Sequence, residues 1–199
     1  MIRQDREYRN MEMRLAEQPE GEKNYDVRGY ASTWEPYVLM TIDGVDYSER
    51  IDPHAFDEAD MTDVVFRVDH EGPVYARSSA GTLEVGTDDH GLWQKTDLSK
   101  TRRGRDLYED IAVGNYKTMS FAFTVEKDHF DHDTNTRVIE RIAKVFDVSP
   151  VSFPANPTTE LSVSTRDYFN GVIEAERAER LEREKREEQI KRIKILAEV

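Results

Sequence analysis

A site that breaks covalent bonds needs an attacking group, a group that takes its proton, and something that holds the second in place. The 199 residues contain no cysteine, which excludes a thiolate nucleophile, a thiolate–metal site and a disulfide framework. There is no Gly-x-Ser-x-Gly elbow, no His-Glu-x-x-His helix, no Gly-x-x-x-x-Gly-Lys-Ser/Thr loop and no Gly-x-Gly-x-x-Gly turn. Any catalytic chemistry must therefore come from single residues at strand ends. His70 is one: it follows the apolar run Val64-Val65-Phe66-Arg67-Val68 and precedes Glu71-Gly72-Pro73, which reads as a turn. A histidine there is held by a sheet and still meets solvent, although surface and capping histidines are commoner than bases. Ser120 is another. It opens the alternating run Ser120-Phe121-Ala122-Phe123-Thr124, where a small hydroxyl among aromatics reads either as a nucleophile or as a strand serine satisfied by its neighbours. His129-Phe130-Asp131-His132-Asp133, with Asp128, offers two imidazoles and three carboxylates, the ligand types of a metal site. The same run leads into Thr134-Asn135-Thr136 between two strands, where Asp and Asn are ordinary turn formers, and a turn without a metal is the expectation.

The elements that must position these residues are mostly short strands. Tyr25 to Ala31 alternates like a half-buried strand, and Thr41 to Tyr47 reads as a hairpin around Asp43-Gly44. Ile51-Asp52-Pro53-His54-Ala55-Phe56 reads as a strand end running into a short helix. Leu83–Val85 and Leu92–Thr96 pair across a turn at Asp88–Gly91. Arg103 to Ala112 suits a helix with Leu107, Ile111 and Ala112 on one face and Gly114 at its end. Met119–Glu126, Thr136–Ile142 and Val145–Phe153 read as strands, the last closed by Pro154-Ala155-Asn156-Pro157. The fold class this predicts is α+β, mainly β: a closed antiparallel β-barrel ringed by helices, with a long charged C-terminal helix. The expected divisions are a polar N-terminal arm over 1–24 with no clear strand pattern, a barrel domain over 25–164, and a helical tail over 165–199.

That tail is rich in Glu, Arg, Lys and Ala, and Glu176/Arg180, Glu179/Arg183 and Glu182/Arg186 are i,i+4 pairs with the acid first, the favourable order. Its middle offers only Ala175, Ala178 and Leu181 to bury, which predicts a helix lying mostly off the barrel, in solvent or on a partner. From Thr165 to Val199 basic and acidic residues balance, nine of each, so the net charge of -13 belongs to the body. An acidic body argues against a nucleic-acid partner and suits basic proteins. No stretch approaches the ~20 apolar residues of a membrane span, and the first residues have no apolar core of a signal peptide, so a cytoplasmic protein without a membrane partner is expected.

Four segments follow one another: Arg28-Gly29-Tyr30-Ala31-Ser32; Ile51-Asp52-Pro53-His54-Ala55-Phe56; Val64 to His70 with Gly91-Leu92 after it; and Gly114 to Phe123 followed by Asp147 to Asn156. In order and spacing they resemble the prohead (head maturation) proteases of tailed bacteriophages. The likeness spans about residues 25–160. It departs from the family pattern at Ala122, where glycine is frequent, and at Pro150, which interrupts the last strand and leaves the register of Asp147 open.

The resemblance implies a fold like the herpesvirus assemblin proteases and a serine endopeptidase needing no cofactor. His70 would be its base and Ser120, in the Met-Ser-Phe motif, its nucleophile. Asp147 is the expected third member and Glu140, one strand earlier, its rival. Arg102-Arg103-Gly104 and Pro154-Ala155-Asn156 are candidates for the oxyanion donors. The implied substrates are the scaffold, or the scaffolding segment of the major capsid protein, and the enzyme itself as a homo-oligomer, inside the procapsid in the host cytoplasm. Two rivals stand beside this: a non-catalytic capsid-assembly module on the same barrel, and a metal-dependent hydrolase using His129 and His132.

Overall fold

The computed structural model describes residues 6–12, 25–152 and 163–197. In chain order the strands are β1 (Glu7–Glu12), β2 (Asp26–Thr33), β3 (Tyr37–Ile42), β4 (Val45–Ile51), β5 (Val65–Val68), β6 (Glu71–Arg77), β7 (Leu83–Thr87) and β8 (Gly91–Asp97). Helix α1 (Arg102–Ala112), β9 (Thr118–Asp131), β10 (Thr136–Val151) and helix α2 (Val163–Ala197) follow.

Turn chemistry sets the hairpins. Asp43 and Gly44 both have positive φ, 53° and 80°, the pairing a two-residue type I′ turn requires, and β3 and β4 pair antiparallel across it. Gly91 starts β8 where a Cβ would lie 2.0 Å from the Ser32 carbonyl oxygen, so only glycine lets β2 and β8 approach there. Thr101 caps α1 by accepting the Gly104 N–H at 2.9 Å, and Gly114, at φ 84°, ends it. Leu107 and Ile111 of α1 are buried as expected, whereas Ala112 faces outward.

The strands form two sheets, and neither closes into the expected barrel. A three-stranded sheet runs β2-β8-β7. A seven-stranded sheet runs β1-β9-β10-β4-β3, with β5 also on β10 and β6 on β5. The reason lies in β10. It is a single 16-residue strand where two were predicted, and it is longer than any partner on its outer edge. Its first part pairs in parallel with β4 at Thr136–Ile139, and its last part pairs in parallel with β5 at Asp147–Val148. The sheet therefore branches along β10 instead of curling back on itself. The expected ring of helices is also absent: among the described residues there are two α-helices, and Pro53 to Glu58 makes successive turns where a short helix was expected. One apolar core joins both sheets, with Phe121, Phe123, Val145 and Val148 of β9 and β10 against Phe56, Phe66, Val27 and Leu92.

The segment Glu7–Glu12, read from sequence as lacking a strand pattern, pairs antiparallel with β9. Its inward positions are charged, which hid the alternation. Arg137 of β10 is fully buried and donates from Nη1 to Glu7 at 2.7 Å and to Glu49 at 2.8 Å, and from Nε to Asp128 at 2.7 Å. Arg9 donates to Glu7 at 2.6 Å and to both oxygens of Glu49 at 2.5 and 2.7 Å, and the Tyr37 hydroxyl donates to Glu49 at 2.5 Å. Burial by itself would lower the Arg9 pKa, but Glu49 and Glu7 outweigh it and hold the guanidinium charged. Burial, followed by the Glu49 charge, pushes the Tyr37 hydroxyl well above its ordinary pKa, so it stays a donor.

The chain divides into two compact units, Met1–Leu161 and Ser162–Val199. Helix α2 occupies the second. From Glu174 to Lys191 its side chains are exposed apart from the half-buried Glu176, including Leu181 and the two alanines in its middle. Among the described residues no helix is long and apolar enough to cross a membrane.

The buried ion cluster generates a stability prediction. Glu49→Gln removes one of the charges that balances Arg9 and Arg137 in a site without water access, and is expected to cost about 3–5 kcal/mol. Tyr37→Phe removes one hydrogen bond to a charged acceptor and should cost less, about 1.5–3 kcal/mol. Urea unfolding of the two variants measures the difference, and equal losses would show that charge balance is not what holds the cluster.

Candidate active site

Strand β9 presents Met119, Phe121, Phe123 and Val125 to the core, so Ser120, Ala122 and Thr124 face the other way. Strand β10 is paired with it throughout, and the register shifts between Val145 and Asp147. Val145 lies opposite Phe123 and faces the core. In an unbroken ladder Asp147, two residues on, would face the core as well. The bulge leaves Phe146 as the extra residue, and Asp147 lies opposite Ala122 on the Ser120 face. Ser149 then lies directly opposite Ser120. Strand β1 flanks the other edge of β9, with Tyr8 opposite Ala122 and Asn10 opposite Ser120.

The imidazole arrives from a different hairpin. Val68 pairs with Glu71, so the turn between β5 and β6 consists of Asp69 and His70 themselves, not of Glu71-Gly72-Pro73 as the sequence suggested. Both have positive φ, 49° and 57°. Left-handed backbone costs a non-glycine residue about 1–2 kcal/mol, so the turn needs support. Asp69 supplies it. Its carboxylate accepts the Ser152 N–H at 2.7 Å and the Ser152 hydroxyl at 2.6 Å, and its own N–H donates to the Pro150 carbonyl at 3.1 Å. Pro150 thus does not break β10; its carbonyl ties the hairpin tip to the strand that carries Asp147.

These placements bring three predicted residues into one chain of hydrogen bonds. His70 Nδ1 lies 2.6 Å from Asp147 Oδ1, and His70 Nε2 lies 2.7 Å from Ser120 Oγ. With Nδ1 protonated, the ring donates to the carboxylate and accepts the serine hydroxyl. Asp147 is 2% exposed, Ser120 is fully buried, and the His70 side chain keeps 16% of its surface. The Tyr8 ring packs against the imidazole at 4.5 Å between centroids. Chemically, such a chain can take a proton from the hydroxyl as it attacks a carbonyl and return it to a leaving amine, with the carboxylate fixing the tautomer.

The other sequence candidates lie elsewhere or take structural parts. Glu140 pairs with Lys127 and with His129 at 2.7 Å, and makes no hydrogen bond to His70. The Lys127 hydrogen bond holds its carboxyl below the ordinary carboxylate pKa. Asp131 accepts the Asp133 N–H at 3.0 Å and the Thr134 hydroxyl at 2.9 Å, the work of a turn residue. His132 packs edge-on against Phe130. Arg102-Arg103-Gly104 begin α1, where the Gly104 N–H is already taken by Thr101. Pro154-Ala155-Asn156 lie outside the described residues. Sequence reasoning passed over Ser149 and Tyr8. The Asp147-Val148-Ser149 spacing, period two on a strand, could have found the first; nothing marked the second.

With His129 paired to Glu140 and Asp131 closing a turn, catalytic activity is expected to survive excess chelator, and His129→Ala to act at the wild-type rate. Inactivation by chelator that a divalent ion reverses would establish a metal requirement.

A family model described as caudovirus prohead serine protease matches residues 10–172. No curated protein and no solved structure matches the chain. The match covers most of the sequence and contains all three members of the hydrogen-bonded chain. This protein belongs to the caudovirus prohead serine protease family.

Proposed function

We propose that the chain is a serine endopeptidase of head maturation in which Ser120 is the nucleophile, His70 the general base and Asp147 the residue that orients the base. The observation that carries this reading is the continuous hydrogen-bonded line from Ser120 Oγ through His70 to Asp147 Oδ1, on a chain of this family. Serine is a poor nucleophile at its own pKa, so attack requires His70 Nε2 to accept the hydroxyl proton as Oγ bonds to the scissile carbonyl. The imidazolium that forms is stabilised by Asp147, and its proton leaves with the amine when the C–N bond breaks. Water then repeats the sequence on the acyl-enzyme, with His70 again accepting and returning a proton.

The substrates that follow from the family are the scaffold or the scaffolding segment of the major capsid protein, and the enzyme itself, within the procapsid of an infected cell. The chain is read as an N-terminal arm over 1–24, a protease domain over 25–164 and a tail over 165–199. The tail helix, with its exposed charged surface, suits docking to a scaffold helix, and its accessibility suits self-cleavage.

Co-expression with the cognate capsid protein tests the reading. Wild type should lower the mass of the capsid protein or scaffold. Ser120→Ala and His70→Ala should each abolish processing nearly as fully as the double variant, because the two groups act as a unit. Asp147→Asn should lose less than Ser120→Ala, and Glu140→Gln should stay close to wild type, since it loses only a half-exposed ion pair. Full processing by a folded Ser120→Ala variant would end the serine-protease reading, and no processing by wild type would favour the non-catalytic assembly module.

A further inference from the structure

We infer that Ser149 is a fourth, positioning member of the site: its hydroxyl fixes the carboxylate that orients His70. The inference rests on the triad reading above and adds a residue to it. Ser149 is fully buried on the same face of β10 as Asp147. Its Oγ lies 2.7 Å from Asp147 Oδ1, the same oxygen that accepts the His70 Nδ1–H at 2.6 Å. An ionised carboxylate only accepts, so the hydroxyl proton points at Asp147.

The physical need is specific. A carboxylate at a strand position can rotate about its terminal torsion, and one hydrogen bond from the imidazole does not by itself fix it. A second donor on the same oxygen, anchored two residues away on the same rigid strand, sets the plane in which Oδ1 meets the imidazole. Ser149 can supply it because strand periodicity puts i and i+2 on one face, and because the bulge at Phe146 has already turned that face toward Ser120. The effect on chemistry runs through His70: a wandering carboxylate lets the ring turn, and Nε2 leaves the line of the Ser120 hydroxyl.

The experiment uses the full chain acting on its capsid protein, with two readouts. In steady-state processing, Ser149→Ala should lower kcat about tenfold with KM nearly unchanged, the size expected from losing one hydrogen bond that matters in the transition state. Ser149→Thr, which keeps the hydroxyl, should recover most of that loss. In proton NMR, the low-field resonance of the His70 Nδ1–H should be present in wild type and Ser149→Thr and lost to exchange in Ser149→Ala, a change that altered packing alone would not produce. Where Ser149→Ala fails to fold, Ser149→Cys keeps the volume and weakens the donor, and the same two readouts apply. Wild-type kcat and an unchanged resonance in the folded alanine or cysteine variant would overturn the role of Ser149. If Ser120→Ala is inactive in the same assay, the triad survives that result. If Ser120→Ala is active, the triad reading itself has failed.

Discussion

One register shift decides whether Asp147 can reach His70 and Ser120. Between Val145 and Asp147 the ladder of β10 on β9 slips by one residue, and every side chain beyond the slip changes face. Without it, Asp147 would join Val145 on the phenylalanine-lined core face, away from His70, where burying a carboxylate is costly. With it, Asp147 and Ser149 stand beside Ser120, while Val148 takes the core position opposite Phe121. The remaining architecture serves this pair of strands. Parallel β5 pairs with β10 at Asp147 and Val148, just where the carboxylate must be held, and the hairpin that begins with β5 carries His70. The strained turn at Asp69-His70 is affordable because Asp69 is tied back to Ser152 and Pro150, at the end of the same strand.

The second constraint lies on the opposite side of β9. Four charged side chains, Glu7, Arg9, Glu49 and Arg137, are buried together and join β1, β4 and β10. Desolvating them is expensive, and apolar residues of the same shape would often be as stable. What the cluster supplies beyond stability is position. Strand β1 alternates, so fixing Glu7 and Arg9 inward fixes Tyr8 outward, against the His70 ring. A one-residue slip of β1 would bury Tyr8 and strand two charges in solvent-free surroundings, so the ion cluster enforces a register that apolar residues would specify less strictly.

This division explains what could be read from sequence. Family spacing pointed to His70, Ser120 and Asp147, and the fold brings these three side chains into hydrogen-bond contact; the Asp43-Gly44 and Gly114 positions were legible because turn chemistry is local. The barrel was not, because closure depends on how long strands share their edges. Val145 to Phe153 and Thr136 to Ile142 looked like two strands, and only the three-dimensional pairing of β10 with β4 and β5 joins them into one branched edge. Strand β1 escaped notice for the opposite reason: its inward residues are Glu7 and Arg9, so a search for apolar alternation reads it as polar and irregular. The turn was misplaced by two residues because Gly72-Pro73 is the stronger local signal, while Asp69-His70 pays a backbone cost that only tertiary contacts offset.

The pairing of β9 also limits how a peptide can reach Ser120. Edge addition, in which a substrate hydrogen-bonds as an extra strand, needs a free edge next to the residue proposed to attack. Strand β9 has none at this point: Ser120 is opposite Ser149 on one side and Asn10 on the other, both within antiparallel ladders. Its backbone donors and acceptors are committed to the sheet. In the proposed reading, with Ser120 as the attacking group, the scissile carbonyl would therefore come down onto the face of the sheet, where His70 stands, and the peptide would find its hydrogen bonds on loops around that face. The imidazole, the most exposed of the three groups, would on that reading meet the substrate first, while the carboxylate beneath it stays out of water. That order suits the chemistry, because the proton has to travel between the buried hydroxyl and a leaving amine that must depart to solvent.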